Sequence, residues 1–140
     1  HMDETRMFAI ERMPDKALGA CRAAIDIHNE VIAMVKPGMT TGEVFERAVA
    51  EAGKRGYADT FLGPTGSKVR FVGHGIGVEL IEAPILAEGK TDVLEPGMTF
   101  ALEPKLCFEG EFAAGIESVF TVTDTGARLI SSVPVDILLC

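Results

Sequence analysis

The sequence predicts an α+β domain, with two amphipathic helices at the N-terminal end followed by short strands of a curved, mainly antiparallel sheet. Three observations carry that expectation. Apolar residues recur at three- and four-residue steps from Leu18 to Val35 and again from Val44 to Ala52, the spacing of a single helix face. Turn-formers then crowd the segment from Tyr57 to Lys68, with Gly63, Pro64, Gly66 and Ser67. Beyond them the apolar runs shorten to strand length and are bounded by Gly and Pro.

Each element has a local reason. A short apolar start (Met7, Phe8, Ile10) precedes Met13-Pro14-Asp15, where a proline and an acid stand as at a helix N-terminus. Leu18, Cys21, Ile25, His28, Ile32 and Val35 describe one face of the helix that follows, and Lys36-Pro37-Gly38 stops it. His28 lies on that face and reads as a packed, hydrogen-bonded helix histidine. Thr40 with Glu43 three residues later forms a capping box for a second helix, marked by Val44, Phe45, Ala48, Val49 and Ala52 and ending near Gly56. Strands are expected at Val69–Val72, Met98–Leu102, Ile116–Thr123, Arg128–Ile130 and Val135–Leu139.

A chain of 140 residues accommodates one domain, and its 47% apolar and 24% charged residues are an ordinary globular mixture. A net charge of −8 with no Lys/Arg cluster argues against nucleic acid as a partner. No apolar run is long enough to span a bilayer, so no membrane partner is expected. Cys21, Cys107 and Cys140 are odd in number and widely spaced, which indicates neither a disulfide framework nor a thiolate zinc site; a reducing cytoplasm is the expected setting. His1-Met2 reads as a cloning scar. Residues 3–140 are therefore expected to be a piece of a longer protein.

Four groups stand at ends or turns of the expected strands: Asp3, His74, Glu103 and Glu117. His74 lies in FVGHGIGVELIEAP (Phe71–Pro84), where Gly73, Gly75 and Gly77 free the backbone for close approach. Glu103 precedes Pro104, which cannot donate to a ladder. Glu117 interrupts an apolar strand, where a carboxylate is costly to bury unless paired or ligated. Spacing alone leaves open whether these are metal ligands, a turn histidine and edge-strand carboxylates.

The motifs FVGHGIGVELIEAP, LEPGMTFALEP (Leu94–Pro104) and AGIESVFTVTDTG (Ala114–Gly126), preceded by Asp3-Glu4-Thr5-Arg6-Met7-Phe8, stand in one order. In that order they resemble the methionine aminopeptidase/prolidase/creatinase family, the "pita-bread" metallohydrolases, over essentially the whole chain. The resemblance implies two divalent ions (Mn, Co, Fe or Zn) and a ligand set onto which Asp3, His74, Glu103 and Glu117 map, with Glu103 also the general base. Carboxylates with one imidazole suit such ions. Two of them close together lower the pKa of a water and polarise a scissile carbonyl.

Two departures from the family pattern shape the functional expectation. The family's first metal aspartate would lie upstream of Asp3, so residues 3–140 look like the C-terminal part of the catalytic domain. Such a piece is expected to bind metal weakly or not at all and to be inactive alone. Peptidases of the family commonly carry a histidine where this chain has Ile81, and prolidase-like members often have another where Arg70 stands. Ile81 and Glu82 are nonetheless the positions expected to meet substrate. The leading expectation is an Xaa-Pro dipeptidase or aminopeptidase-like parent that cleaves a short peptide. A creatinase-like amidase acting on a small amide is the alternative within the fold, and a non-catalytic pita-bread binding module is the alternative outside enzymology. Modules of that kind typically lose metal ligands, whereas every ligand position visible here is filled. Apolar surface left open by a missing half predicts a homodimer or higher oligomer.

Overall fold

The computed structural model describes residues 1–140. In chain order the elements are β1 (Met7–Ala9), α1 (Asp15–Met34), α2 (Thr41–Lys54), β2 (Phe71–Gly75), β3 (Glu82–Ala87), β4 (Thr99–Leu102), β5 (Lys105–Phe108), β6 (Phe112–Gly115), β7 (Ser118–Val122), β8 (Ala127–Leu129) and β9 (Ile137–Leu139). Five strands form an antiparallel sheet in the order β3-β2-β4-β7-β8. β5 and β6 make a separate hairpin, and β1 pairs with β9 in parallel. This is the expected α+β architecture of two helices on a mainly antiparallel sheet.

Both helices begin and end where local chemistry directs. Pro14 occupies the N-cap of α1, and Asp15 adds an acid in the first turn, where the helix dipole favours it. The chain leaves α1 at an extended Val35 and turns at Gly38, whose φ of +90° only glycine adopts without strain. The capping box is complete: Thr40 Oγ1 accepts from the Glu43 N–H at 3.2 Å, and the Glu43 carboxylate accepts from the Thr40 N–H at 2.7 Å.

The buried face of α1 is shifted from the expected one. Ala20, Cys21, Ala23, Ala24, Ile27, His28 and Val31 are buried, while Leu18, Ile25 and Ile32 lie half-buried along its margins. Small alanines at the contact let the helix settle close to its neighbours, and the branched side chains seal the edges. The sheet answers with Leu86, Phe100, Leu102, Phe120 and Val122, and Phe100 stacks on Phe120 with ring centroids 5.9 Å apart. His28 is buried among them against Phe120, as a packed helix histidine.

Several strands differ from the sequence expectation. The strand expected at Val69–Val72 is instead Phe71–Gly75, so the glycine motif is the strand itself rather than a turn after it. β2 is flanked by β3 and β4, and a Cβ on Gly73 or Gly75 would overlap the Ala101 or Ala83 carbonyl oxygen. Close backbone approach, not positive φ, requires those glycines. β3 and the β5–β6 hairpin were not expected. A cis Ala83-Pro84 bond lies inside β3, and the hairpin turns at Gly110, with φ of +71°.

Candidate metal centre

His74 is carried by β2 next to its C-terminal end, level with Ala101 of β4, which is level with Val119 of β7. Residues level across neighbouring strands share a face, so His74 emerges beside Ala101 and Val119, on the side away from the helices. Gly73 and Gly75 fall on the opposite face with Leu102 and Phe100. Glu103 follows β4 and Glu117 precedes β7, flanking the paired step Leu102↔Ser118. The N-terminal segment reaches this point through an isolated bridge between Thr5 and Glu117.

Asp3, His74, Glu103 and Glu117, the four groups singled out in the sequence, meet here. Asp3, His74 and Glu117 each offer a ligand atom, all within 4.8 Å of one another. Asp3 Oδ2 and Glu103 Oε1 each lie 3.7 Å from His74 Nε2. His74 is 3% exposed and Glu117 7%. Four segments distant in sequence thus converge on one spot.

The donor set fits a divalent cation. The Gly75 carbonyl can only accept, so His74 Nδ1, 3.1 Å away, is the donating nitrogen there, and Nε2 is the one turned inward. Nε2 faces the carboxylate oxygens of Asp3 and Glu103, and carboxylates gathered this closely repel one another unless a positive charge lies between them. Burial pushes the Glu117 carboxyl up to about 7, the Thr5 hydroxyl opposes the shift, and the charges of Asp3 and Glu103 add to it. A cation would relieve the same strain. A backbone carbonyl fixing the outer nitrogen of a ligating imidazole is the usual companion of such a site.

Ile81 and Glu82 do not join this cluster. Ile81 is 59% exposed in the loop between β2 and β3. The Glu82 carboxylate accepts from the Glu79 N–H at 2.9 Å and lies where a Cβ on Gly77 would come within 2.5 Å of it. Glu82 therefore clasps its own loop, which presents Val78, Leu80 and Ile81 to solvent.

Sequence reasoning assigned no role to three other residues. Thr5 Oγ1 donates to Glu117 Oε2 at 2.8 Å. Arg6 donates to the Glu117 carbonyl. Lys105 Nζ lies 2.8 Å from Glu103 Oε2. The Lys105 signal was available: residues i and i+2 on extended backbone share a side, so a lysine two positions after a candidate ligand is placed to pair with it. A cavity of about 130 Å³ opens between these groups, lined by Thr5, Glu103, Lys105 and Glu117.

Residues 1–124 match the model of metallopeptidase family M24. The Xaa-Pro dipeptidase of Lactobacillus delbrueckii subsp. lactis is 32% identical over 129 residues, 90% of this chain and 32% of that protein. The crystal structure of dipeptidase PepE from Mycobacterium ulcerans superposes with a TM-score of 0.84 at 30% identity, over 97% of this chain and 35% of that one. X-Pro aminopeptidase from Thermotoga maritima gives a TM-score of 0.89 over 99% of this chain and 37% of its own, with an identity of 23% that speaks for the fold alone. The chain thus spans about a third of the length of these relatives. A family match over most of the chain and four candidate ligands gathered on its fold lead to one conclusion: the chain belongs to metallopeptidase family M24.

Proposed function

We propose that residues 3–140 are the C-terminal part of a metal-dependent peptidase domain whose parent cleaves short peptides of the Xaa-Pro type. The observation that carries this reading is the convergence of Asp3, His74, Glu103 and Glu117, each on a different segment, with carboxylate oxygens 3.7 Å from an inward-facing imidazole nitrogen. Asp3, His74, Glu103 and Glu117 would hold two divalent ions of the Mn, Co, Fe or Zn type together with a ligand from elsewhere in the parent. Such ions polarise a carbonyl and make water more acidic. Glu103 is the proton-handling group: Lys105 holds its Oε2 and leaves Oε1 toward the site. Glu117 is oriented by Thr5 and serves as a ligand, with the general-base role left to Glu103.

The isolated piece, lacking part of the ligand set, is inactive and binds metal weakly. Names given to the relatives, Xaa-Pro dipeptidase and dipeptidase, support a peptide substrate for the parent. Exposed Phe8 and Leu139 on the β1–β9 pair, with exposed Ile10 just after β1, support association into a dimer or larger assembly. Three unpaired cysteines support a reducing, cytoplasmic setting. No helix is long and apolar enough to cross a membrane.

The test uses the full-length protein loaded with Mn²⁺ or Co²⁺ on a panel of Xaa-Pro dipeptides. Turnover that Glu103→Ala abolishes is the expected result, and no turnover across the panel rejects the peptidase reading. One observation favours a second reading: the exposed, apolar Ile81 stands where family peptidases commonly have a histidine. An amidase acting on a small non-peptide substrate would tolerate that exchange, so creatine-like amides belong in the same panel.

A further inference from the structure

We propose that Arg6 is a positioning residue for the metal centre, fixing the backbone of Glu117 by tying together three separate stretches of chain. The proposal rests on the metallohydrolase reading above.

The Arg6 side chain is 4% exposed, unusual for a guanidinium whose only ion pair is a 3.3 Å contact with Glu4. Its other partners are backbone carbonyls. Nε donates to Pro134 O at 2.8 Å and one terminal nitrogen to Val133 O at 2.8 Å. The other terminal nitrogen donates to Thr5 O at 2.9 Å and to the Glu117 carbonyl. All three nitrogens are engaged, and the planar fork spans residues 5, 117 and 133–134 at once.

The peptide that carries Glu117 is held from two sides. On one, Thr5 and Glu117 exchange backbone hydrogen bonds of 3.3 and 3.1 Å. On the other, Val119 N–H donates to Ser131 Oγ at 3.1 Å and Ile130 N–H to Val119 O at 2.8 Å. The segment after β8 therefore runs back along 117–119, and Arg6 closes its far end at residues 133–134. Without the fork, the Glu117 carbonyl loses a charged donor and segment 133–134 loses its anchor. A shift in that peptide swings the Glu117 carboxyl, whose oxygens must stay within 4.8 Å of the Asp3 and His74 ligand atoms. Partners of this outer kind set metal affinity by roughly 10- to 100-fold when removed.

A purely structural arginine would lower stability and leave metal affinity alone. The test is calorimetric titration of Mn²⁺ into the full-length protein as wild type, Arg6→Met, Arg6→Gln and Val31→Ala. Val31 is a buried residue of α1 and serves as a stability control. Arg6→Met is expected to raise the Mn²⁺ Kd by about 10- to 100-fold. Arg6→Gln, which keeps two N–H donors, recovers part of the loss, and Val31→Ala lowers Tm with Kd unchanged. A Kd within about twofold of wild type, in whichever Arg6 variants fold, overturns the proposal, since it lies well below that range. Failure of both to fold while Val31→Ala folds makes Arg6 a folding residue and overturns it too. A wild-type protein that binds no Mn²⁺ removes the metal-centre reading itself and this proposal with it. Binding by wild type with unaffected Arg6 variants removes the proposal alone.

Discussion

Thr5 and Glu117 are joined three times over: two backbone hydrogen bonds of 3.3 and 3.1 Å, and a side-chain bond from Thr5 Oγ1 to Glu117 Oε2 at 2.8 Å. The backbone pair fixes where the two segments meet, and the hydroxyl fixes where the carboxyl points. Thr5→Val keeps the shape and removes only the donor. A buried acceptor left without a partner costs about 1–3 kcal/mol, so thermal unfolding should fall by several degrees. Thr5→Ser, which restores Oγ, should regain most of the loss. Equal melting temperatures for Val and Ser would show that the hydroxyl contributes nothing.

The raised pKa of Glu117 has a signed consequence for the metal-free chain. Burial, and after it the charges of Asp3 and Glu103, lift the carboxyl from its ordinary 4.5 to about 7. Below pH 4.5 the group is protonated in both folded and unfolded chains, and its contribution to stability is fully present. Between 4.5 and 7 the unfolded chain releases a proton that the folded chain keeps, so that contribution is lost as pH rises and levels off above 7. Glu117→Gln removes the titration and nearly preserves the shape. The difference in Tm between Gln variant and wild type should therefore grow from pH 4.5 to 7 and then stay constant. A difference independent of pH would contradict the assignment.

His28 works in the opposite sense. Burial pushes its pKa below the ordinary 6.5, the Asn29 hydrogen bond opposes that, and the Arg6 charge adds to it. A histidine kept neutral by the fold stabilises above its unfolded pKa, and that stability is lost as pH falls below about 6.5, where the unfolded chain takes up a proton. Its Nε2 has no hydrogen-bond partner in the apolar layer beside Phe120. His28→Met removes the titrating group from a site that already suits an apolar side chain. The acid limb of the unfolding profile should become shallower, with Tm at pH 8 little changed. An acid limb of unchanged steepness would exclude His28 as a source of acid lability.

What the sequence made legible was whatever depends on near neighbours or on several motifs in order. Thr40 and Glu43 cap a helix wherever it packs, and Pro14-Asp15 starts one for equally local reasons. β2 was misplaced because Gly73 and Gly75 carry turn-forming chemistry, while their reason for being there is the Ala101 and Ala83 backbone on either side, which only the folded sheet supplies. β3 was hidden because Pro84 interrupts its apolar run. The four candidate ligands followed from motif order, since no spacing rule links Asp3 to Glu117. Thr5 and Arg6 act through tertiary contacts, so their roles became visible only once those four stood together, whereas Lys105 pairs with Glu103 two residues away and was within reach of the sequence.

The glycines of β2 make the sharpest test of that distinction. A methyl group on Gly75 would meet the Ala83 carbonyl and the Pro84 nitrogen, atoms of a paired strand that cannot swing aside as a flexible side chain can. Gly75→Ala should therefore push β3 off β2 and displace His74, the adjacent residue. Overpacking of this kind costs about 1–3 kcal/mol or more, and a backbone clash belongs at the upper end. Gly53 is the control, because it lies within α2 and nothing approaches its added Cβ within 4 Å. There alanine removes backbone freedom from the unfolded chain and should stabilise by about 0.4–1 kcal/mol. Urea unfolding of the two variants should move the midpoint in opposite directions. A Gly75→Ala protein as stable as wild type would mean that β3 can move away from β2 without cost, and the close approach would no longer explain the glycine.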